Sequence, residues 1–276
     1  MAMAFSKMHG AGNDFVVLDL RGGVAGPDPA RVRALANRHT GIGFDQLLSI
    51  QDSARNDCVA AYQVWNSDGS SARQCGNGAR CIAAWLIRDG AAVAPRFRLD
   101  APGGVVDVDC LADGRFALDM GVPEFAPARI PLAADREQLS YEQALGSTPV
   151  RFGAVSMGNP HAVIVVEDIA DAPVAPLGLA LQATDRFPEG VNVGFAQLDS
   201  RSAIQLRVHE RGVGETLACG SGACAAVAVL VRQGLLDRHV DVHLPGGTLV
   251  IDWPHDGASV RMAGPAAFVF EGEWQA

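Results

Sequence analysis

Lysine is almost missing from this chain: of 276 residues only Lys7 is one. A pyridoxal phosphate enzyme needs a lysine for its Schiff base. Lys7 sits in a strand-like stretch with no supporting motif, which argues against that chemistry. Positive charge is scarce as well. Lys and Arg total 22 against 31 Asp and Glu, for a formal net charge of −9. That balance excludes neither fold nor enzyme, but it argues against a nucleic-acid partner and a basic membrane-binding face. No apolar stretch reaches transmembrane length. The N-terminus lacks a charged start followed by an apolar signal core, so the chain reads as cytoplasmic. The six cysteines are Cys58, Cys75, Cys81, Cys110, Cys219 and Cys224. They contain no C-x-x-C pair and suggest neither a zinc site nor a disulfide framework, so no metal is expected. In a reducing compartment they should be thiols. Cys58, Cys81, Cys110 and Cys224 read as small core residues.

What the chain does have is a repeat. Cys75-Gly76-Asn77-Gly78-Ala79 opens one apolar run, and Cys219-Gly220-Ser221-Gly222-Ala223 opens another. Over residues 75–90 and 219–234, eight of sixteen positions are identical, among them both cysteines, both pairs of glycines and the closing Gly90 and Gly234. The register extends further. Pro102-Gly103-Gly104 answers Pro245-Gly246-Gly247, Gly12-Asn13 answers Gly158-Asn159, and Val64-Trp65-Asn66 lines up with Val208-His209-Glu210. Several anchors at nearly constant offset indicate duplication of one domain.

Each run reads as a helix with a cysteine at its N-terminus. The second is apolar on every face, so it should be buried all round, with strand-like segments before and after it. The fold class expected is therefore α+β: two pseudo-symmetric duplicated domains, each a curved, mostly antiparallel sheet wrapped around one central buried helix. The N-terminal half would be 1–122, joined by a C-terminal strand at 264–276. The second half would be 123–263, and the active site would lie in the cleft between them. Residues 29–38 read as a helix capped by Asp28 with Pro29 in its first turn. Residues 174–182 read as helical and 138–145 as a short helix.

A helix start offers outward-pointing amides and the positive end of the dipole. It binds carboxylates and favours the thiolate of a cysteine placed there. The N–H groups of Gly76, Asn77, Gly220 and Ser221 are thus candidates to hold a carboxylate. With a thiolate on one side and a thiol on the other, the carbon beside that carboxylate can lose its proton to one sulfur and gain one from the other. The stereocentre inverts without a cofactor, and the developing charge runs into the carboxylate. Asn13, Gln46, Asn66, Asn159 and Asn192 fall at strand ends or turns. Glu210 and Arg211 offer adjacent opposite charges, one suited to an ammonium and the other to a second carboxylate. A small-molecule substrate with two amino-acid ends fits this set.

The chain resembles the diaminopimelate epimerase family nearly end to end. The resemblance rests on His9-Gly10-Ala11-Gly12-Asn13-Asp14-Phe15, Gly41-Ile42-Gly43-Phe44-Asp45-Gln46, Asn66-Ser67-Asp68-Gly69-Ser70 and Cys75-Gly76-Asn77-Gly78-Ala79-Arg80-Cys81. It continues in Gly158-Asn159-Pro160-His161, Glu210-Arg211-Gly212-Val213-Gly214-Glu215-Thr216 and Ala218-Cys219-Gly220-Ser221-Gly222. It implies that Cys75 and Cys219 exchange the roles of proton donor and acceptor. It implies that the backbone at Gly76-Asn77 and Gly220-Ser221 grips the reacting carboxylate, and that Asn13, Gln46, Asn66, Asn159, Asn192, Glu210 and Arg211 complete the substrate site. His161 and Glu210 would assist the sulfurs electrostatically. The resemblance further implies interconversion of LL- and meso-diaminopimelate for lysine and peptidoglycan precursors, and a homodimer. Phe270 stands where some members have a tyrosine at the dimer contact.

Other readings remain beside this one. A proline-type racemase would use the same two-cysteine logic. A thiol redox or sensor protein would pair Cys75 with Cys219 as a regulatory disulfide, and a binding protein would leave the substrate α-proton in place. Asp14, Asp45 and Asp68 read as turn or cap residues rather than catalytic acids.

Overall fold

The computed structural model describes residues 3–72, 75–145 and 148–275. The chain divides into two compact units, 1–118 with 264–276, and 119–263.

In the first unit, strands Met3–Gly10 and Asn13–Asp19 form a hairpin whose turn is Ala11 and Gly12. Gly12 has φ +83°, a conformation that costs a glycine little. Asn13–Asp19 then pairs in parallel with Gln46–Gln51, which pairs antiparallel with Ala60–Asn66. Helix α1 (Pro29–Ala36) bridges the parallel pair. The Asp28 carboxylate accepts from the Arg31 amide at 2.8 Å, a cap worth about 1 kcal/mol. Ala60–Asn66 also carries the short strand Ser71–Ala72 and pairs in parallel with Arg96–Ala101. That strand continues antiparallel into Gly104–Cys110 and then Phe116–Asp119. The closing strand Ala267–Trp274 lies antiparallel on Met3–Gly10.

The second unit repeats this ladder. Thr148–Ser156 and Pro160–Val165 form the hairpin. Pro160–Val165 pairs in parallel with Asn192–Ser200 across helix α3 (Val174–Gln182). Asn192–Ser200 pairs antiparallel with Ala203–Glu210. That strand carries the short Gly214–Thr216 and pairs in parallel with His239–Leu244. Gly247–Asp252 and Arg261–Gly264 complete the antiparallel run. Parallel and antiparallel joints occur in the same sequence in both units. The duplication read from the sequence is therefore written into the strand topology, and the α+β expectation holds.

The two cysteine helices are α2 (Gly76–Asp89) and α4 (Gly220–Arg232). Helix α2 touches both the early strands of its ladder, including Met3–Gly10, and the late strand Gly104–Cys110. Helix α4 touches the early strands and Gly247–Asp252. A helix that meets both ends of one ladder requires the sheet to curl around it. The sequence explains why: from Gly222 to Leu230 every residue of α4 is buried. Helix α2 buries Asn77 through Ala84 and Leu86. It stops at Gly90, whose φ of +80° lets its amide bond the Ile87 carbonyl, the left-handed ending that glycine favours.

Two expectations need correction. Residues 138–145 do not form a helix; Tyr141–Leu145 is a strand paired antiparallel with Thr148–Ser156. Tyr141 is buried and stacks on Phe152 at 5.8 Å, so the long-range partner outweighs local helix preference. Gly146 and Ser147, between the two strands, lie outside the described residues. Cys58 and Cys110 are half-buried rather than core residues, whereas Cys81 and Cys224 are fully buried. No helix among the described residues is long and apolar enough to cross a membrane.

Candidate active site

Each unit presents one half of the residue set named from the sequence. In the first, Cys75 is the N-cap of α2, with extended backbone (φ −151°, ψ 101°). Its sulfur accepts the Gly78 N–H at 3.3 Å and lies 3.8 Å from Asn13 Oδ1. The Asn77 side-chain amide donates to the same Asn13 oxygen at 3.3 Å. Asn13 is the first residue of its strand, straight after the Ala11-Gly12 turn, which is what brings it to the helix end. Gln46 and Asn66 face each other across their ladder, and Gln46 Nε2 donates to Asn66 Oδ1 at 3.0 Å. The first half therefore gathers Asn13, Cys75, Gly76 and Asn77 around one helix start, with Gln46 and Asn66 paired on the adjoining strands.

In the second unit Cys219 is the N-cap of α4 and is only 4% exposed. Its sulfur lies 3.7 Å from Ser221 Oγ. Ser221 Oγ is 3.1 Å from His161 Nε2, which is also 3.0 Å from Asn159 Oδ1. Burial pushes the Cys219 thiol well above its usual range, and the negative Glu210 side chain adds to the rise. Ser221 and the Gly222 amide act the other way, although no full cap hydrogen bond forms at this sulfur. Cys219 is therefore a protonated thiol at neutral pH. Glu210 is steadied by the Thr216 hydroxyl, which donates to its carboxylate at 2.5 Å. Burial, helped by the nearby Arg211 charge, lowers His161 to about 3, so its ring is neutral at neutral pH and acts on Ser221 as a dipole rather than a cation.

Asn192 is buried on the parallel joint, opposite His161 in register. It donates to the Pro160 carbonyl at 3.2 Å and accepts the Arg211 backbone amide at 2.9 Å. Arg211 is exposed, and its guanidinium donates to the Glu189 carbonyl. Gly190 makes room for it. A Cβ there would stand 2.6 Å from Arg211 Cδ, and φ is +74°. The second half thus joins Asn159, His161, Ser221, Cys219 and Glu210 through short contacts, with Asn192 holding the backbone that carries Arg211.

Sequence reasoning missed three residues that organise these halves. Arg80, wholly buried in α2, donates to Asn77 Oδ1 at 2.8 Å and to the Pro265 carbonyl at 3.2 Å. Asp45, set down as a turn residue, accepts from Asn13 Nδ2 at 2.9 Å. Thr216 orders Glu210. All three fall inside the quoted motifs, but nothing in their spacing announced the partners. Lys7 is 8% exposed, pairs with Asp14 at 2.5 Å, and also donates to the Gly43 carbonyl. Among the described residues no cluster of His, Cys, Asp or Glu could hold a metal ion.

Two duplicated sheet-and-helix units, each built around a buried helix, define a fold shared with several solved structures. A hydroxyproline epimerase from Agrobacterium vitis superposes with a TM-score of 0.70 at 17% identity, over 99% of this chain and 92% of that one. A phenazine biosynthesis protein of the PhzF family from Bacillus anthracis gives 0.71 at 14% identity, over the whole of both chains. Sequence comparison narrows the class. The family model for diaminopimelate epimerase matches residues 5–126 and 153–269, and the chain belongs to that family. An O-ureido-serine racemase from Streptomyces lavendulae is 59% identical over 98% of this chain and 94% of its own. A diaminopimelate epimerase from Xanthomonas euvesicatoria pv. vesicatoria (strain 85-10) is 56% identical over 99% of this chain and 96% of its own. The protein is an enzyme of the epimerase type.

Proposed function

We propose that the chain interconverts LL- and meso-2,6-diaminopimelate by cofactor-independent two-base proton transfer, with Cys75 and Cys219 as the two bases. The observation that carries this reading is the coincidence of 56% identity to a diaminopimelate epimerase with a cysteine capping each central helix. One sulfur, as thiolate, takes the α-proton. The other, as thiol, returns a proton to the opposite face. The amides of Gly76, Asn77, Gly220 and Ser221 hold the α-carboxylate, into which the charge of the carbanion spreads. Glu210 and His161 tune Cys219, the latter through Ser221. Asn13, Gln46, Asn66, Asn159, Asn192, Glu210 and Arg211 bind the substrate, with Arg211 on its distal carboxylate. No pyridoxal phosphate enters this scheme, and the one lysine is already paired with Asp14. The product would feed lysine and peptidoglycan precursors in the cytoplasm, and the active species would be a homodimer.

A second substrate has a specific observation behind it: the 59% identity to an O-ureido-serine racemase. O-ureido-serine has the same α-amino-acid end but an uncharged distal ureido group. The α-carbon chemistry would be the same, and only the group facing Arg211 would differ. The deciding experiment follows LL-diaminopimelate, O-ureido-L-serine and L-proline in heavy water by NMR, with the parent, Cys75→Ala and Cys219→Ala. The reading requires deuterium at Cα of the inverted diaminopimelate and loss of epimerisation in both variants. Inversion of O-ureido-serine or proline with diaminopimelate untouched would overturn the substrate, and full epimerisation by either variant would overturn the two-sulfur chemistry.

A further inference from the structure

The buried guanidinium of Arg80 has no part in the scheme above. It is a fully enclosed charge one turn into the helix that Cys75 caps, and such a charge needs a reason. Its contacts supply one. A guanidinium only donates hydrogen bonds, so the atom of Asn77 that meets it at 2.8 Å must be the amide oxygen. The other end of the Asn77 amide, its NH2, is then left to face Asn13, whose nearer atom at 3.3 Å must be its oxygen. The far end of Asn13 is fixed independently. Its Nδ2 lies 2.9 Å from Asp45, and an ionised carboxylate only accepts. Asp45 itself is held by Arg38 at 2.8 Å and by the Asp14 amide at 3.1 Å. Read from either end, the relay has one direction.

The consequence falls on the sulfur. Asn13 Oδ1 is the atom that meets Cys75 Sγ, at 3.8 Å. The Gly78 N–H meets the same sulfur at 3.3 Å. A donor suits the thiolate and an acceptor suits the thiol. A sulfur that must alternate between the two states in each catalytic cycle is thereby given a partner suited to each. We propose that Arg80 is a positioning residue. Acting through Asn77, it locks the Asn13 amide with its oxygen toward Cys75, so that the protonated state of that cysteine keeps a hydrogen-bond acceptor. Its second bond, to the Pro265 carbonyl, ties the guanidinium to the segment leading into Ala267–Trp274 and holds it in place. Gly10 lets this happen at close range. A Cβ there would stand 3.1 Å from the Asn77 carbonyl and 3.3 Å from Arg80 Nη2.

The inference rests on Cys75 being a working sulfur, but its test does not depend on the substrate. Alkylation by iodoacetamide is followed across pH, with the Cys75 peptide quantified by mass spectrometry, in the parent, Arg80→Gln, Arg80→Lys and Asn13→Ala. A glutamine can donate or accept, so Asn77 no longer has to keep its NH2 on Asn13, and the Asn13 amide, held then only at its Asp45 end, can draw its oxygen away from the sulfur. The midpoint for Cys75 should fall by about one pH unit, a tenfold change in proton affinity. Arg80→Lys, which only donates, should restore it. The sign is diagnostic, because loss of a nearby positive charge on its own would raise the midpoint. Asn13→Ala removes the acceptor without changing charge and should also lower it. An unchanged or raised midpoint in Arg80→Gln overturns the proposal. Should that variant not fold, an unchanged midpoint in Asn13→Ala overturns it equally.

Discussion

Gly222 is the position where the smallest change should reveal how tightly the second sulfur is held. It lies in the first turn of α4, and a Cβ added there would stand 3.2 Å from Cys219 Sγ, 3.3 Å from Cys219 Cβ and 3.1 Å from Val208 Cγ2. Ordinary contacts begin near 3.4 Å, so sulfur and valine must each retreat by a few tenths of an ångström. Neither has open space behind it, since Cys219 is 4% and Val208 1% exposed. Overpacking of this kind costs about 1–3 kcal/mol. Replacing a helical glycine by alanine returns up to about 1 kcal/mol. Gly222→Ala should therefore lose at most about 3 kcal/mol of stability, and about 2 kcal/mol if the full helical return is realised. Catalysis should suffer more in proportion, because a 1 Å misplacement of a reacting group costs about a hundredfold. A shift of a few tenths should lower kcat about three- to tenfold, with KM little changed. Deuterium incorporation at Cα gives the rate and urea denaturation gives the stability. A variant with normal stability and parent kcat would refute the argument that the cap geometry places this sulfur. Gly234→Ala, with φ +76° and no atom near its Cβ, is the control: its cost is backbone strain, and it should lose stability without slowing turnover.

Three further outcomes are expected. His161 is lowered from 6.5 to about 3, so the unfolded chain takes up a proton before the folded one does; its contribution is intact above pH 6.5 and is lost as pH falls toward 3, on the order of 5 kcal/mol in full. Melting temperatures measured between pH 7 and 4 should show this acid limb, and His161→Gln should flatten it; an equally steep limb in the variant would contradict the assignment. Removing the negative charge beside Cys219 with Glu210→Gln should move Cys219 alkylation to lower pH while cutting epimerisation about a hundredfold; an upward or absent shift would count against the electrostatic role of Glu210. Lys7→Met should cost about 1–3 kcal/mol, since Asp14 loses one of two cationic partners and keeps Arg38 at 2.8 Å, yet turnover should persist. Complete loss of turnover in a folded Lys7→Met protein would reopen lysine chemistry.

The helices that carry the site were legible in the sequence because their signals are local. A cysteine followed by Gly-x-Gly-Ala and an apolar run marks a capped, buried helix, and repetition of that pattern doubled the signal. Helix 174–182 has the limits read from the sequence for the same reason. The segment ending at Leu145 was misread because its structure is decided by a partner strand and by Tyr141 packing on Phe152, neither of which leaves a mark in a short window. The site divided along the same line. Residues at helix starts and strand ends could be named from pattern. Arg80 looked like one more charged residue of a motif, and only its enclosure against Asn77 and the Pro265 carbonyl shows what it does. Asp45 looked like a turn residue until Asn13 was seen to lean on it.

Because the copies have diverged where it matters, the two sulfurs have unlike chemical surroundings: one half-open and flanked by an amide donor and an amide oxygen, the other enclosed beside an acid. Detailed balance ties the ratio of the forward and reverse specificity constants to the equilibrium constant, but it leaves each direction its own saturation level and its own limiting step. Under the proposed two-sulfur chemistry, a catalyst of this build has no reason to treat the two handednesses of its substrate alike, and inhibitors shaped for one sulfur should discriminate against the other.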